Sequence, residues 1–229
     1  LSSAGAKKIK KEDNPYVYSL VENLAIGSGI ATPKVYIIND ESMNAFATGR
    51  EPKNSSIAIT TGLINNLENE ELEAVIAHEM SHIKNYDIRL MMVVIVCVGI
   101  ITLLADWLMR SFWFRGRDKN ENKGGGILIL IGLILAILSP LFAKLIQLAI
   151  SRKREFLADA SAAMLTRYPE GLARALEKIS IQNRPLKRAN KATAHLYITN
   201  PFSAKGMGNM FSTHPPIEER VKRLRGMTK

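Results

Sequence analysis

Along the chain the apolar positions change period several times, and each change predicts a different element. From Pro15, a residue suited to a helix start, Val17, Leu20, Val21 and Leu24 recur at helical spacing until Gly27 and Gly29 end the run. Residues 34–39 (KVYIIN) are β-branched and aromatic and read as a strand. Residues 44–49 (NAFATG) and 56–60 (SIAIT) read as two more, joined by the turn-rich segment 50–54. Residues 70–85 then return to a helical composition. A small sheet is therefore expected ahead of a helix.

Beyond that helix the amphipathic pattern gives way to two long apolar runs. Residues 90–109 carry one charge, Asp106, and residues 127–150 are interrupted only by Pro140, Lys144 and Gln147. At about 1.5 Å per residue each can cross roughly 30 Å of hydrocarbon. Two buried core helices are the other reading, but a domain this small can hardly bury both on all sides. The prediction is a transmembrane hairpin, with 110–126 as its Gly-containing connecting loop. Lys144 reads as a side chain snorkelling to the interface, although an intramembrane role for Lys144 and Gln147 is the alternative.

The remainder returns to amphipathic character. Residues 151–160 (SRKREFLADA) are strongly helical in composition, and Tyr168-Pro169-Glu170 opens a helix with the stripe Leu172, Ala175, Leu176 and Ile179. Residues 184–191 read as a basic loop and 200–209 as a further loop. Thr213-His214-Pro215-Pro216 leads into a short helix over 217–225, with Thr213 near its cap and the prolines in its first turn. Residues 1–14 are polar and basic, a linker or juxtamembrane segment. No internal repeat is seen.

The helix over 70–85 contains His78-Glu79-Met80-Ser81-His82, an H-E-x-x-H pattern. Residues four apart share a helix face, so His78 and His82 can offer two imidazoles to one ion. Zinc suits neutral imidazole, and a catalytic zinc keeps one position for water. Glu79, beside the first histidine, can take that water's proton as it attacks a carbonyl. The bland reading is two surface histidines on an ordinary helix, but the valine, isoleucine and alanine leading into the motif bury it, and buried histidines need partners. A third protein ligand is required. Glu155 is the best candidate, with Asp159 one turn away and able to hydrogen-bond a ligating imidazole. Without the two histidines, the same pair would read as a solvated helix face.

Composition narrows the context. The formal charge is +10, with 31 Lys+Arg against 21 Asp+Glu, which is compatible with nucleic acid, an anionic membrane surface or solubility alone. The basic residues cluster beside the apolar runs and at the termini, where anionic lipid accounts for them, and no nucleic-acid-binding motif is present. A single cysteine, Cys97, excludes an internal disulfide and a cysteine-based zinc site and fits a reducing compartment. No signal peptide is read, and a chain opening at Leu1 without Met is expected to be a fragment.

With these motifs in order (NAFATG at 44–49, HEMSH at 78–82, REFLAD at 154–159 and THPP at 213–216), the chain resembles the HtpX-type membrane-bound zinc metallopeptidases, distant relatives of the CAAX prenyl endopeptidases. The resemblance runs over nearly the whole chain. It implies an α+β, zincin-like, mainly helical metallopeptidase domain with a small β-sheet, interrupted by the transmembrane hairpin. The expected organisation is a basic juxtamembrane segment (1–14), a first catalytic part (15–89), the hairpin (90–150) and a second catalytic part (151–229). His78, His82 and Glu155 would bind one Zn2+ per chain, Glu79 would be the general base, and Asp159 would orient His78. Asn44 and His214 match residues placed beside the substrate. By themselves Asn44 could be a turn residue and His214 a helix-start histidine that merely packs; His195 matches no motif. The family also implies a further hairpin ahead of the catalytic domain, an integral protein of a bacterial-type inner membrane, and a cytoplasmic catalytic domain. Charge counts on the two sides of the hairpin nearly tie and leave the positive-inside rule undecided.

The expected function is a membrane-anchored zinc endopeptidase, with polypeptide substrates, membrane proteins foremost, in quality control of misfolded or damaged membrane proteins, and with the bilayer as its other partner and no nucleic acid. The alternatives are a processing peptidase dedicated to one lipidated or tagged peptide, and a catalytically idle membrane scaffold. Retention of Glu79 between the two histidines speaks against the idle scaffold.

Overall fold

The structure is a computed structural model that describes residues 5–115, 125–182 and 214–227. The expected loops at 184–191 and 200–209, His195, Thr213 and most of the loop between the apolar runs lie outside the described residues. The chain divides into two units: Leu1–Arg89 with Arg152–Lys229, and Leu90–Ser151.

The first unit holds a four-stranded sheet in the order β1-β2-β4-β3, made of β1 (Ala6–Lys8), β2 (Lys34–Ile38), β3 (Ala45–Gly49) and β4 (Ser55–Thr60). β2 and β4 run parallel, while β1 and β3 are antiparallel to their neighbours. The segment read as a linker thus contributes an edge strand, with Lys7 opposite Ile37. Its three residues were too few for an alternating pattern to show. Between β2 and its parallel neighbour comes β3, whose chain reverses through a 3-10 turn (Pro52–Asn54). Gly49 at that turn has φ +142, and a Cβ there would stand 2.4 Å from the Asn54 carbonyl oxygen, so only glycine fits.

Helix α1 (Pro15–Ser28) is capped by Asn14, whose Oδ1 accepts from the Val17 amide, and ends at left-handed Gly29. A short helix, α2 (Thr61–Asn66), follows β4 directly and is capped by Thr60. Helix α3 (Asn69–Lys84) opens with a capping box between Glu68 and Glu71. It buries Leu72, Val75, Ile76 and Met80 against Val21 of α1, Ile57 and Ile59 of β4, and Leu172 and Leu176 of α6 (Pro169–Gln182). Each such side chain contributes roughly 1.5–3 kcal/mol by leaving water. Glu71 is fully buried and accepts from Lys178 Nζ at 2.7 Å, which ties α3 to α6. The last helix, α7 (Ile217–Gly226), packs on α6 through Leu224 and has Pro216 as its N-cap, so the prolines precede its first turn instead of lying in it.

The second unit is built from two helices that extend beyond it, α4 (Asp87–Arg115) and α5 (Gly125–Thr166). Asp87–Arg110 is long and apolar enough to cross a membrane. Its large apolar side chains face outward, with Leu103 71% and Trp107 63% exposed, the reverse of a soluble core helix. The first part of α5 has the same character: Leu130, Ile134, Ile137, Leu141, Phe142 and Leu145 are exposed. Helix α5 continues through Pro140 and carries Glu155 and Asp159 in its last third.

Candidate metal centre

The local helix geometry brings the two histidines of α3 together as their spacing predicts. His78 Nε2 and His82 Nε2 are 3.2 Å apart. Glu155 reaches them from α5, with Oε2 3.7 Å from His78 Nε2 and Oε1 3.5 Å from His82 Nε2. One donor atom from each of the three lies within 4.8 Å of the others.

The other ring nitrogens are engaged elsewhere. His78 Nδ1 is 3.0 Å from Asp159 Oδ1, and His82 Nδ1 is 2.8 Å from Asp87 Oδ2. A carboxylate can only accept, so each neutral ring places its proton on Nδ1 and its lone pair on Nε2. Two lone pairs then face each other at 3.2 Å, a repulsion relieved by a cation between them, or by a proton on His82, whose pKa burial lowers but Asp87 and Glu155 raise to about 9. Donors about 2.0–2.1 Å from a tetrahedral ion are about 3.3 Å apart, so the residues present fit such an ion.

Charge supports the same fit. Glu79, Asp87, Glu155 and Asp159 are all buried. They are opposed by two guanidiniums: Arg220, fully buried, and Arg154. With neutral imidazoles and all four acids ionised, the carboxylates would exceed the guanidiniums by two charges, the surplus a divalent cation would balance. Burial pushes the Glu79 carboxyl up to about 8 against the pull of His82; a bound cation favours the carboxylate and reverses this. Burial works against the charged forms of Glu155 and Asp159 too, yet His214 and Arg220 hold Glu155 well below the usual carboxylate range, and Arg220 and His78 hold Asp159 at about 2.

Glu79 points to the sheet: its Oε2 accepts from the Ala47 amide of β3 at 2.8 Å. Asn44 stands at the head of that strand. Its main chain is fixed by Thr60, whose Oγ1 accepts from Asn44 N at 3.0 Å, and its own Oδ1 accepts from Ala45 N. His214 lies with Nδ1 3.1 Å from Glu155 Oε2. His78, His82, Glu155, Asp159 and His214 therefore form one cluster, Glu79 adjoins it through α3, and Asn44 shares the strand that Glu79 contacts.

Three side chains escaped the sequence reading. Asp87, five residues past His82, opens α4 and receives both His82 and Arg154. Arg154 also donates to the Asn85 carbonyl at 3.0 Å, so α5 grips the junction of α3 and α4. Arg220 forks onto Asp159, with Nε to Oδ2 at 2.8 Å and an Nη to Oδ1 at 2.6 Å, and approaches Glu155 Oε2 at 3.4 Å. In IEERVKRLRG it looks like one more solvated cation. The one available signal was its helical spacing with Val221 and Leu224, which together mark the buried face.

Residues 11–228 match the model of peptidase family M48. Protease HtpX homologs resemble the chain closely. That of Dictyoglomus turgidum is 56% identical over 229 residues, covering 99% of this chain and 74% of the relative. That of Caldanaerobacter subterraneus subsp. tengcongensis is 51% identical over 233 residues, covering 100% and 77%. The crystal structure of S. mikatae Ste24p superposes with a TM-score of 0.61 at 23% identity, covering 96% of this chain and 51% of that one, and shares the fold. Sequence match over nearly the full length, protease relatives at high identity and a His-His-Glu cluster thus agree, and the chain belongs to peptidase family M48, a metallopeptidase with a mainly helical fold around a small mixed sheet.

Proposed function

We propose that the chain is a membrane-anchored zinc endopeptidase with one Zn2+, held by His78, His82 and Glu155. The observation that carries this is the convergence of two Nε2 lone pairs and a carboxylate within 4.8 Å, next to a glutamate that does not join them. When bound, zinc supplies a Lewis acid for carbonyl and water oxygens. Glu79 takes the proton of the attacking water and returns it to the departing amine. The Ala47 amide fixes one Glu79 oxygen and leaves the other for that proton. His214 offers a ring N–H to the developing oxyanion, and Asp159, itself clamped by Arg220, keeps the proton of His78 on Nδ1.

The substrate backbone is held extended along β3, an outer strand of the sheet as described. The Asn44 main chain faces β4 through Thr60, so with period two Ala45, Ala47 and Gly49 turn their amides away from it. Asn44 lies at one end of that groove. The apolar Asp87–Arg110 segment, paired with residues 127–150 as a hairpin, anchors the chain in a bacterial-type inner membrane with the catalytic unit cytoplasmic. Substrates are then misfolded or damaged membrane proteins. The test is metal analysis of the purified protein with a casein-type cleavage assay before and after chelation. About one zinc per chain, with cleavage lost on chelation and restored by zinc, is expected; metal-free protein that cleaves casein would refute the reading.

A further inference from the structure

Beside the metal centre lies a small cleft that none of the roles above uses. Its walls include Arg50, Glu51, Ser55, His82, Ile88 and Arg89, and all of them belong to the first unit. Arg50 and Arg89 are exposed and neither has an ion-pair partner among the described residues. The one acid of the cleft, Glu51, accepts from Asn54 Nδ2 at 2.8 Å, within its own turn. The cleft is thus a positive recess, and its lining also includes His82 of the metal cluster and the apolar Ile83 and Ile88.

We infer that this cleft is a specificity subsite that takes an acidic side chain of the polypeptide substrate; the inference rests on the endopeptidase reading and deepens it. Glu79 marks the reacting position on β3 at Ala47. Gly49, two residues on, borders the cleft, roughly 6–7 Å along the strand. A substrate added antiparallel to β3 passes Gly49 with residues on the N-terminal side of its scissile bond. An Asp or Glu one to three positions before that bond therefore comes within reach of the two arginines that line the cleft, whose guanidiniums can fork onto a carboxylate. The opposite charge on a substrate meets both arginines and is disfavoured.

The test measures binding apart from chemistry. Fluorescent peptides that differ only by Glu against Gln, one position at a time, are titrated against zinc-loaded Glu79→Gln full chain in neutral detergent. The Glu peptide should bind roughly fivefold more tightly at one of the three positions, with the advantage fading at high salt. In the additional background of Arg50→Gln with Arg89→Gln the two peptides should bind alike, and Arg50→Glu with Arg89→Glu should favour a Lys peptide. Unchanged zinc content and melting temperature report that these variants fold. Equal binding of Glu and Gln peptides at all three positions would overturn the subsite. So would arginine variants that lose only association with anionic vesicles, which would make the arginines lipid contacts. If the acidic preference appears in binding while the parent protein cleaves no peptide, the subsite stands and the endopeptidase reading falls.

Discussion

At the scale of single residues the proposed site would separate holding a metal from doing chemistry. Glu79 contacts a strand amide and stays out of the donor set. Glu79→Gln is expected to keep its zinc and lose about 10²–10⁴-fold in kcat, seen by pairing metal analysis with peptide turnover. Glu155→Ala removes a donor and is expected to lose zinc or hold it far more weakly. Asp87→Ala and Asp159→Ala leave every donor in place but free a histidine tautomer, so each should weaken zinc by about 10–100-fold in competition with a chelator. Undiminished zinc in Glu155→Ala would move the third ligand elsewhere. The sequence carried much of this: the four-residue spacing of His78 and His82, and that of Glu155 and Asp159, placed each pair on one helix face. Asp87 was not legible, because a lone acid before an apolar run carries no period, and for Arg220 the helical spacing with Val221 and Leu224 marks a buried face but not the partner. Only the fold shows what they touch.

Among the elements, the helices and strands with strong periodicity were legible to within a residue or two: α1, α3, α6 and the strands β2, β3 and β4. The three-residue β1 and six-residue α2 were not, since each is shorter than the window over which alternation or a helical stripe can be told apart. The unexpected work of an element is that of α7. Its amphipathic stripe packs Leu224 and Val221 into the core and so delivers Arg220 to Asp159. Arg225 at its far end meets Glu170 and Glu177 of α6 at the surface, where screening leaves such pairs little weight. The buried pair is different. Arg220→Ala takes the guanidinium from Asp159, leaves Glu155 to His214, and is expected to destabilise the first unit by about 3–5 kcal/mol. Denaturant unfolding of the zinc-free protein checks this, and a loss below about 1 kcal/mol would mean that the carboxylates find other partners.

For the whole molecule, the catalytic unit is assembled from both sides of the apolar segment, Leu1–Arg89 and Arg152–Lys229. His82 precedes the segment by eight residues and Glu155 follows residue 150 by five. The ends of the hairpin are therefore proposed to set the separation of these ligands, with Arg154 on Asp87 and Asn85 as a local brace. Replacing residues 90–150 by a short flexible linker is expected to weaken zinc affinity, as read by chelator competition in detergent-free solution. If the shortened chain folds and holds zinc as tightly as the parent, the hairpin is only an anchor.

The distribution of the cluster along the chain has a consequence for biosynthesis. His78 and His82 leave the ribosome before the apolar segment, Glu155 after it, and Arg220, which neutralises the buried carboxylates, near the end of the segment described. During translation two histidines alone are poor competitors for a cellular ion, and Glu155 and Asp159 have no counter-charge to let them fold inward. On the proposed reading, such a chain lacks a complete site until Glu155 and α7 have been made. It would become able to cut only once both apolar runs have been made and α7 has docked, which would spare the nascent polypeptides crowding the same ribosomes.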